Sequence, residues 1–168
     1  MAKTPKQQFL EDYDREHLRT MRVVDAFPAD QAEFRPHSRS KTARELVWLF
    51  ALERGLGAKI WNDDFGQAAP PGGSLPPTPE TWSEVVAALE KANHDFRDLI
   101  ASASDDEWTR EVHFFTGPKQ LGTDTRINWL WFLLFDQIHH RGQLSIYLRM
   151  TDAKVPSIYG PSGDEPWF

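Results

Sequence analysis

Ile127-Asn-Trp-Leu-Trp-Phe-Leu-Leu-Phe-Asp-Gln-Ile-His-His-Arg-Gly-Gln143 is the most apolar stretch of the chain, and it ends in a cluster of polar side chains. Between Ile127 and Phe135 a helical projection is apolar on almost every side, the mark of a helix surrounded by others. The run without interruption, Trp129 to Phe135, is far shorter than the roughly 20 residues needed to cross a bilayer. The stretch therefore predicts a buried central helix, from about Asp124 to Met150, in a bundle.

The flanking segments fit that reading. Downstream, Lys154 to Phe168 mixes Pro156, Gly160, Pro161, Gly163 and Pro166 with Ile158, Tyr159, Trp167 and Phe168, which predicts an irregular tail laid over the bundle. Upstream, Thr109 to Gly122 reads as a crossover in which Val112, Phe114 and Phe115 can form an extended piece before Gly-Pro and Leu-Gly turn signals. Ser104-Asp-Asp-Glu107 reads as a turn or a brief helix. Thr78-Pro79 predicts the start of a third helix with Trp82, Val85, Val86, Leu89, Phe96, Leu99 and Ile100 on its core side. Asn62 to Pro77, rich in Gly and Pro, reads as an exposed irregular loop. Thr42-Ala-Arg-Glu45 is a capping box that starts a second helix, running to about Trp61. Apolar residues from Phe9 to Phe27, mostly three or four apart, give an amphipathic first helix from Pro5 that Pro28 ends. The expectation is an all-α protein: one domain over residues 1–168, a four-helix bundle with a crossover before the last long helix and an irregular C-terminal tail.

Composition narrows the chemistry. The 168 residues carry a net charge of −6 with Lys and Arg spread along the chain, which argues against a nucleic-acid partner. There is no cysteine, so any metal is held by His and carboxylate, and the absence fits a reducing cytoplasm. The N-terminal MAKTPKQQ lacks the apolar stretch of a signal peptide, and a membrane partner is not expected. No Gly-rich phosphate loop follows a strand and no Gly-x-Ser-x-Gly is present. Neither a repeat nor a sustained heptad pattern occurs.

Asp136 and His140, four residues apart, share one helix face with Leu133, Gln143 and Leu144 beside them. This spacing suits metal chelation, since one helical turn sets two donors at a span that ligand bonds of about 2 Å can bridge. It suits an internal hydrogen bond equally well. His139, about 100° away, belongs at a helix edge or a subunit contact. His17, His37, His94 and His113 read as structural or surface residues.

The run His140-Arg-Gly-Gln143, following Arg44-Glu-Leu-Val-Trp48 in the second helix, resembles the DinB family, the DinB/YfiT-like metalloenzymes. Phe34-Arg-Pro-His37 and Val155-Pro-Ser-Ile-Tyr-Gly-Pro-Ser162 are similar to segments of some members. The resemblance implies a four-helix bundle, frequently dimeric, with a divalent metal held by three histidines. One comes from the second helix and two from a His-x-x-x-His-Arg-Gly-Gln segment. Some relatives are thiol S-transferases that use small bacterial thiols, the metal activating the thiolate. Here Asp136 stands in place of the first histidine of that segment, and the second-helix histidine would fall at about Trp48 or Leu49. Glu53, four residues past Leu49, lies on the same face and completes a two-carboxylate, one-histidine set with Asp136 and His140.

Two outcomes follow from that departure. In one, the site is degenerate and the protein is a non-catalytic or weakly metal-binding homodimer with a small-molecule ligand. Trp48 then fills the space, Asp136 and His140 form a buried pair, Arg141 pairs across the dimer contact, and Gly142 admits a neighbouring helix. In the other, Glu53, Asp136 and His140 bind zinc, nickel, iron or manganese in a pocket lined by Trp48, Leu49, Leu133 and His139. That protein would be an enzyme of the thiol S-transferase or hydrolase type.

Overall fold

The computed structural model describes residues 2–67 and 75–168. Helix α1 spans Pro5–Asp25, opened by a reciprocal Thr4–Gln7 capping box with Pro5 in its first turn. Ala29–Gln31 form a single 3-10 turn, and α2 covers Ala43–Trp61 behind the predicted Thr42–Glu45 box. Part of the expected loop at Asn62 to Pro77 lies outside the described residues. Its beginning holds a 3-10 turn at Asp64–Gly66, reached through a left-handed Asp63.

Helix α3 spans Trp82–Ser102, beginning later than Thr78-Pro79 predicts. Two features move the start. Thr81 and Glu84 cap each other's backbone N–H groups, and the Pro79 carbonyl accepts a hydrogen bond from Arg44 instead of entering a helical ladder. Asp105–Trp108 form the short helix α4, again behind a capping box, Ser104–Glu107.

The crossover is a β-hairpin. Strands β1 (Glu111–Gly117) and β2 (Gln120–Thr125) pair antiparallel, with Glu111 opposite Thr125 and an irregularity between Phe115 and Gly117. Val112 and Phe114 alternate inward and pack with Phe65 and Trp129, whose indole N–H donates to the Val112 carbonyl at 3.2 Å. The protein is thus mostly helical with one small sheet. Helix α5 then runs Arg126–Met150, its entry fixed by Asp124, which accepts from Thr125 N and Asn128 Nδ2.

The long helices neighbour one another in the order α1–α5–α2–α3, with α1 also against α3. One apolar cluster fills one end of the bundle with Val24, Val47, Phe50, Leu89 and Leu148. Another gathers Phe9, Tyr13, Trp61, Phe96, Trp108 and Leu134. Among the described residues no helix is long and apolar enough to cross a membrane.

Two expectations for α5 are corrected. It is not enclosed on every side: Phe132 is 49 % and Phe135 61 % exposed, because among the described residues no helix covers that flank. Arg141 is also not free to pair across a dimer contact. Gly142 is exposed with open space around it, whereas Arg141 is buried within its own chain. The Arg141 guanidinium donates to the Glu16 carboxylate at 2.7 Å and to the Tyr159 hydroxyl at 2.6 Å, and that hydroxyl donates to Glu16 at 2.6 Å. Burial would raise the Glu16 carboxyl, but the bonds from Tyr159 and Arg141 outweigh it and hold the group below its ordinary value. This triangle joins α1, α5 and the tail, which is further tied by Arg22–Glu165 and Arg149–Asp164.

Removing Arg141 leaves the Glu16 carboxylate with only Tyr159 and the partly exposed Arg19, a loss of about 3 kcal/mol, whereas Tyr159→Phe removes hydrogen bonds worth about 1–2 kcal/mol. Urea unfolding of Arg141→Ala and Tyr159→Phe should reproduce that order. An Arg141→Ala effect as small as that of an exposed arginine would contradict the role assigned to the triangle.

Candidate metal centre

Helices α2 and α5 lie side by side, and their contact brings together the three residues singled out by spacing. Glu53, on the buried side of α2, is only 4 % exposed. Asp136 and His140 project from consecutive turns of α5 and are half-buried. His140 Nε2 lies 3.7 Å from Glu53 Oε1 and 3.7 Å from Asp136 Oδ1. One ligand atom from each residue falls within 4.8 Å of the others, and among the described residues this is the one such group of three or more. The spacing is open enough for a cation to sit between the donors and wider than direct hydrogen bonds between them.

The expected Asp136–His140 buried pair is therefore corrected. Asp136 keeps access to solvent because α5 turns that part of its face toward the rim, and the deeply buried carboxylate is Glu53. Both Glu53 oxygens are buried and, among the described residues, accept no hydrogen bond. Burial pushes the Glu53 carboxyl up from 4.5 to about 8; neighbouring Arg54 opposes the rise, and the nearby Asp136 charge adds to it. Arg54 gives little direct relief because its guanidinium turns the other way, toward the Phe50 carbonyl, Asn93 and the face of Tyr13.

His140 is oriented from behind. Its Nδ1 lies 2.9 Å from Gln143 Oε1, so the Nδ1–H tautomer donates there and leaves the Nε2 lone pair facing the two carboxylates. Gln143 in turn reaches His139 Nε2 at 3.0 Å. The glutamine of the His-Arg-Gly-Gln run thus sets the imidazole, while its arginine serves the Glu16 triangle.

A groove of about 380 Å³ opens beside His140, walled by Pro36, Ser40, Lys41, Leu46, Gln143 and Tyr147. Trp48 does not line it, since its indole N–H turns to the Pro76 carbonyl at 3.2 Å. Leu49 packs half-buried against the cluster around Val47, Leu133 is buried beneath the hairpin, and His139 is exposed. Leu46 and Tyr147 lie seven residues from Glu53 and His140, two turns along the same faces, and that periodicity is the signal that finds them. Pro36, Ser40 and Lys41 come from a loop, where no periodicity applies. Elsewhere histidines meet single carboxylates: His17 with Glu90 at 3.1 Å and His113 with Asp63 at 3.0 Å.

Comparison with known proteins agrees with this architecture. Over 157 residues the chain is 24 % identical to the uncharacterized protein YrdA of Bacillus subtilis (strain 168), covering 94 % of this chain and 89 % of that one. The fold is similar to that of a DinB-like protein from Bacillus cereus ATCC 10987, with a TM-score of 0.70 at 20 % identity, covering 90 % of this chain and 95 % of that one. A DinB-like protein from Bacillus subtilis, YjoA, gives a TM-score of 0.67 at 18 % identity, with 88 % and 93 % covered. A sequence model of the DinB superfamily matches residues 12–144, most of the chain and all three candidate ligands. The chain belongs to the DinB superfamily.

Proposed function

We propose that Glu53, Asp136 and His140 hold one divalent cation and that the protein is a metal-dependent member of its superfamily working on a substrate in the adjacent groove. The observation that carries this reading is the Glu53 carboxylate, buried with no donor to either oxygen and facing an imidazole nitrogen and a second carboxylate. A buried polar group without a partner is costly, and a cation at the centre of the three donors supplies what the protein does not. Two carboxylates and one imidazole form a harder set than three imidazoles, suited to manganese or iron(II) and accessible to nickel and zinc. Such an ion acidifies a bound water or polarises a substrate oxygen. The hard donors favour oxygen over sulfur as the reacting atom, so hydrolysis fits this chain better than the thiol transfer of some relatives. Gln143 keeps Nε2 of His140 available, and His140 itself borders the groove. The cysteine-free chain suits the cytoplasm for this work.

Elemental analysis of protein purified without a metal-affinity tag should give about one ion per chain after incubation with manganese, iron(II), nickel or zinc. Glu53→Gln and His140→Ala should each abolish it. Wild-type protein that stays metal-free with all four ions would overturn the reading.

The second reading is a degenerate, non-catalytic site, and the raised Glu53 carboxyl favours it in metal-free protein, where Glu53 keeps its proton at pH 7. The sign of the pH dependence follows. Between the ordinary value of 4.5 and about 8 the folded state binds a proton that the unfolded state has released. Metal-free protein therefore loses stability as pH rises through that window, by up to about 1.4 kcal/mol per pH unit. In EDTA, unfolding of Glu53→Gln should lack this decline, and saturating cation should cancel it in the wild type. Parallel profiles for the two proteins in EDTA would show that Glu53 does not store a proton.

The outer flank of α5 supports a homodimer. Phe132, Phe135, Ile146 and Met150 are each about half exposed or more and fall within an arc of about 60° along about 27 Å of helix. Gly142, with open space around its Cβ position, lies along the same flank. A second copy crossing antiparallel at Gly142 would set the aromatic end of one stripe on the aliphatic end of the other, as an isologous two-fold contact requires. Light scattering should give twice 19.4 kDa for wild type and the monomer mass for Phe135→Asp/Ile146→Asp. A monomeric wild type at high concentration would refute the dimer.

A further inference from the structure

We propose that the groove beside His140 receives a small substrate bearing a carboxylate or phosphate, held through the loop Arg35–Lys41 while its reacting end faces Glu53, Asp136 and His140. The inference rests on the metal-centre reading, because the substrate's reacting end is taken to meet a dication held by Glu53, Asp136 and His140.

Charge distribution is the first observation. The chain is acidic overall, yet residues 35–41 hold Arg35, Arg39 and Lys41 and not one Asp or Glu. All three cations are exposed, and among the described residues none forms an ion pair, unlike Arg15, Arg19, Arg22, Arg44, Arg97 and Arg141. The flanking acids are committed elsewhere: Glu33 to Arg44 at 2.6 Å, and Glu45 to the backbone N–H of Thr42 at 2.7 Å. Three positive side chains within seven residues, with no acid among them, leave a local positive field on an acidic protein.

Shape is the second. The loop is pinned at its base, where Ala43 N donates to the Phe34 carbonyl and Arg44 N to the Ala32 carbonyl, both at 2.9 Å. Inside it, Ser40 N donates to the His37 carbonyl at 2.9 Å and Arg39 N to His37 Nδ1 at 3.1 Å. Phe34 stacks edge-on against Tyr147, which also walls the groove. Lys41 and His140 both line this groove of about 380 Å³, the size of a small-metabolite site. Leu46, Pro36 and Tyr147 supply apolar surface for the body of the ligand.

Calorimetric titration of manganese-loaded full-length protein with phenyl phosphate, benzoate and neutral benzyl alcohol tests this, with metal content measured on the same samples. At least one of the two anions should bind about tenfold or more tighter than the alcohol, and whichever prevails assigns phosphate or carboxylate. Arg39→Gln/Lys41→Gln, checked for an unchanged melting temperature and metal content, should weaken that anion about tenfold. Lys59→Gln/Lys119→Gln, an equal loss of charge away from the groove, should not. Benzyl alcohol binding as tightly as both anions, or an unaffected double variant, overturns the inference while leaving the metal centre standing. Protein without metal fails the earlier reading instead, and the same titration then shows whether the loop binds anions alone.

Discussion

Helix α5 is held between two polar contacts of opposite character, and the rest of the molecule depends on that clamp. On the α1 side, the buried Arg141 guanidinium meets a carboxylate and a phenol and is satisfied. On the α2 side, His140 faces a buried carboxylate that no protein donor satisfies. The first contact fixes the rotation of α5 about its axis, since Arg141 can reach Glu16 from only one face. That rotation then carries His140 and Asp136, on the neighbouring face, toward Glu53. Structural and chemical halves of one short segment are thus coupled: His140 and Gln143 serve the site while Arg141 between them anchors the helix.

Replacing histidines by carboxylates changes what such a centre does. Three neutral imidazoles leave a bound dication its full charge, whereas Glu53 and Asp136 neutralise it. A neutral, oxygen-rich centre binds harder cations and polarises oxygen substrates. It would also leave electrostatic attraction of an anionic substrate to groups outside the coordination sphere, such as Lys41 on the groove, with Arg35 and Arg39 in the same loop.

Much of this was readable from residues alone, for identifiable reasons. The Thr42–Glu45 box set the start of α2 because capping is local chemistry, and Asp136 with His140 emerged because helical periodicity is rigid. The start of α3 was misread because Thr78-Pro79 also looks like a helix opening; the Thr81–Glu84 box and the Arg44 contact with the Pro79 carbonyl, from another helix, move it. The hairpin hid in a segment whose alternation spans only Val112 to Phe114. Arg141 was placed at a dimer contact because exposed arginine is the usual case and its partners lie 125 and 18 residues away. Pro36, Ser40 and Lys41 escaped because loop residues reach a groove through tertiary pinning, which leaves no spacing to read.

The central claim is that Glu53 is a buried carboxylate waiting for a cation, and its protonation state reports this directly. Difference infrared spectra of wild type minus Glu53→Gln at pH 7 should show a protonated carboxyl in EDTA, replaced by an ionised carboxylate when manganese is added. An ionised Glu53 in EDTA, or a protonated one that manganese leaves unchanged, would contradict the account.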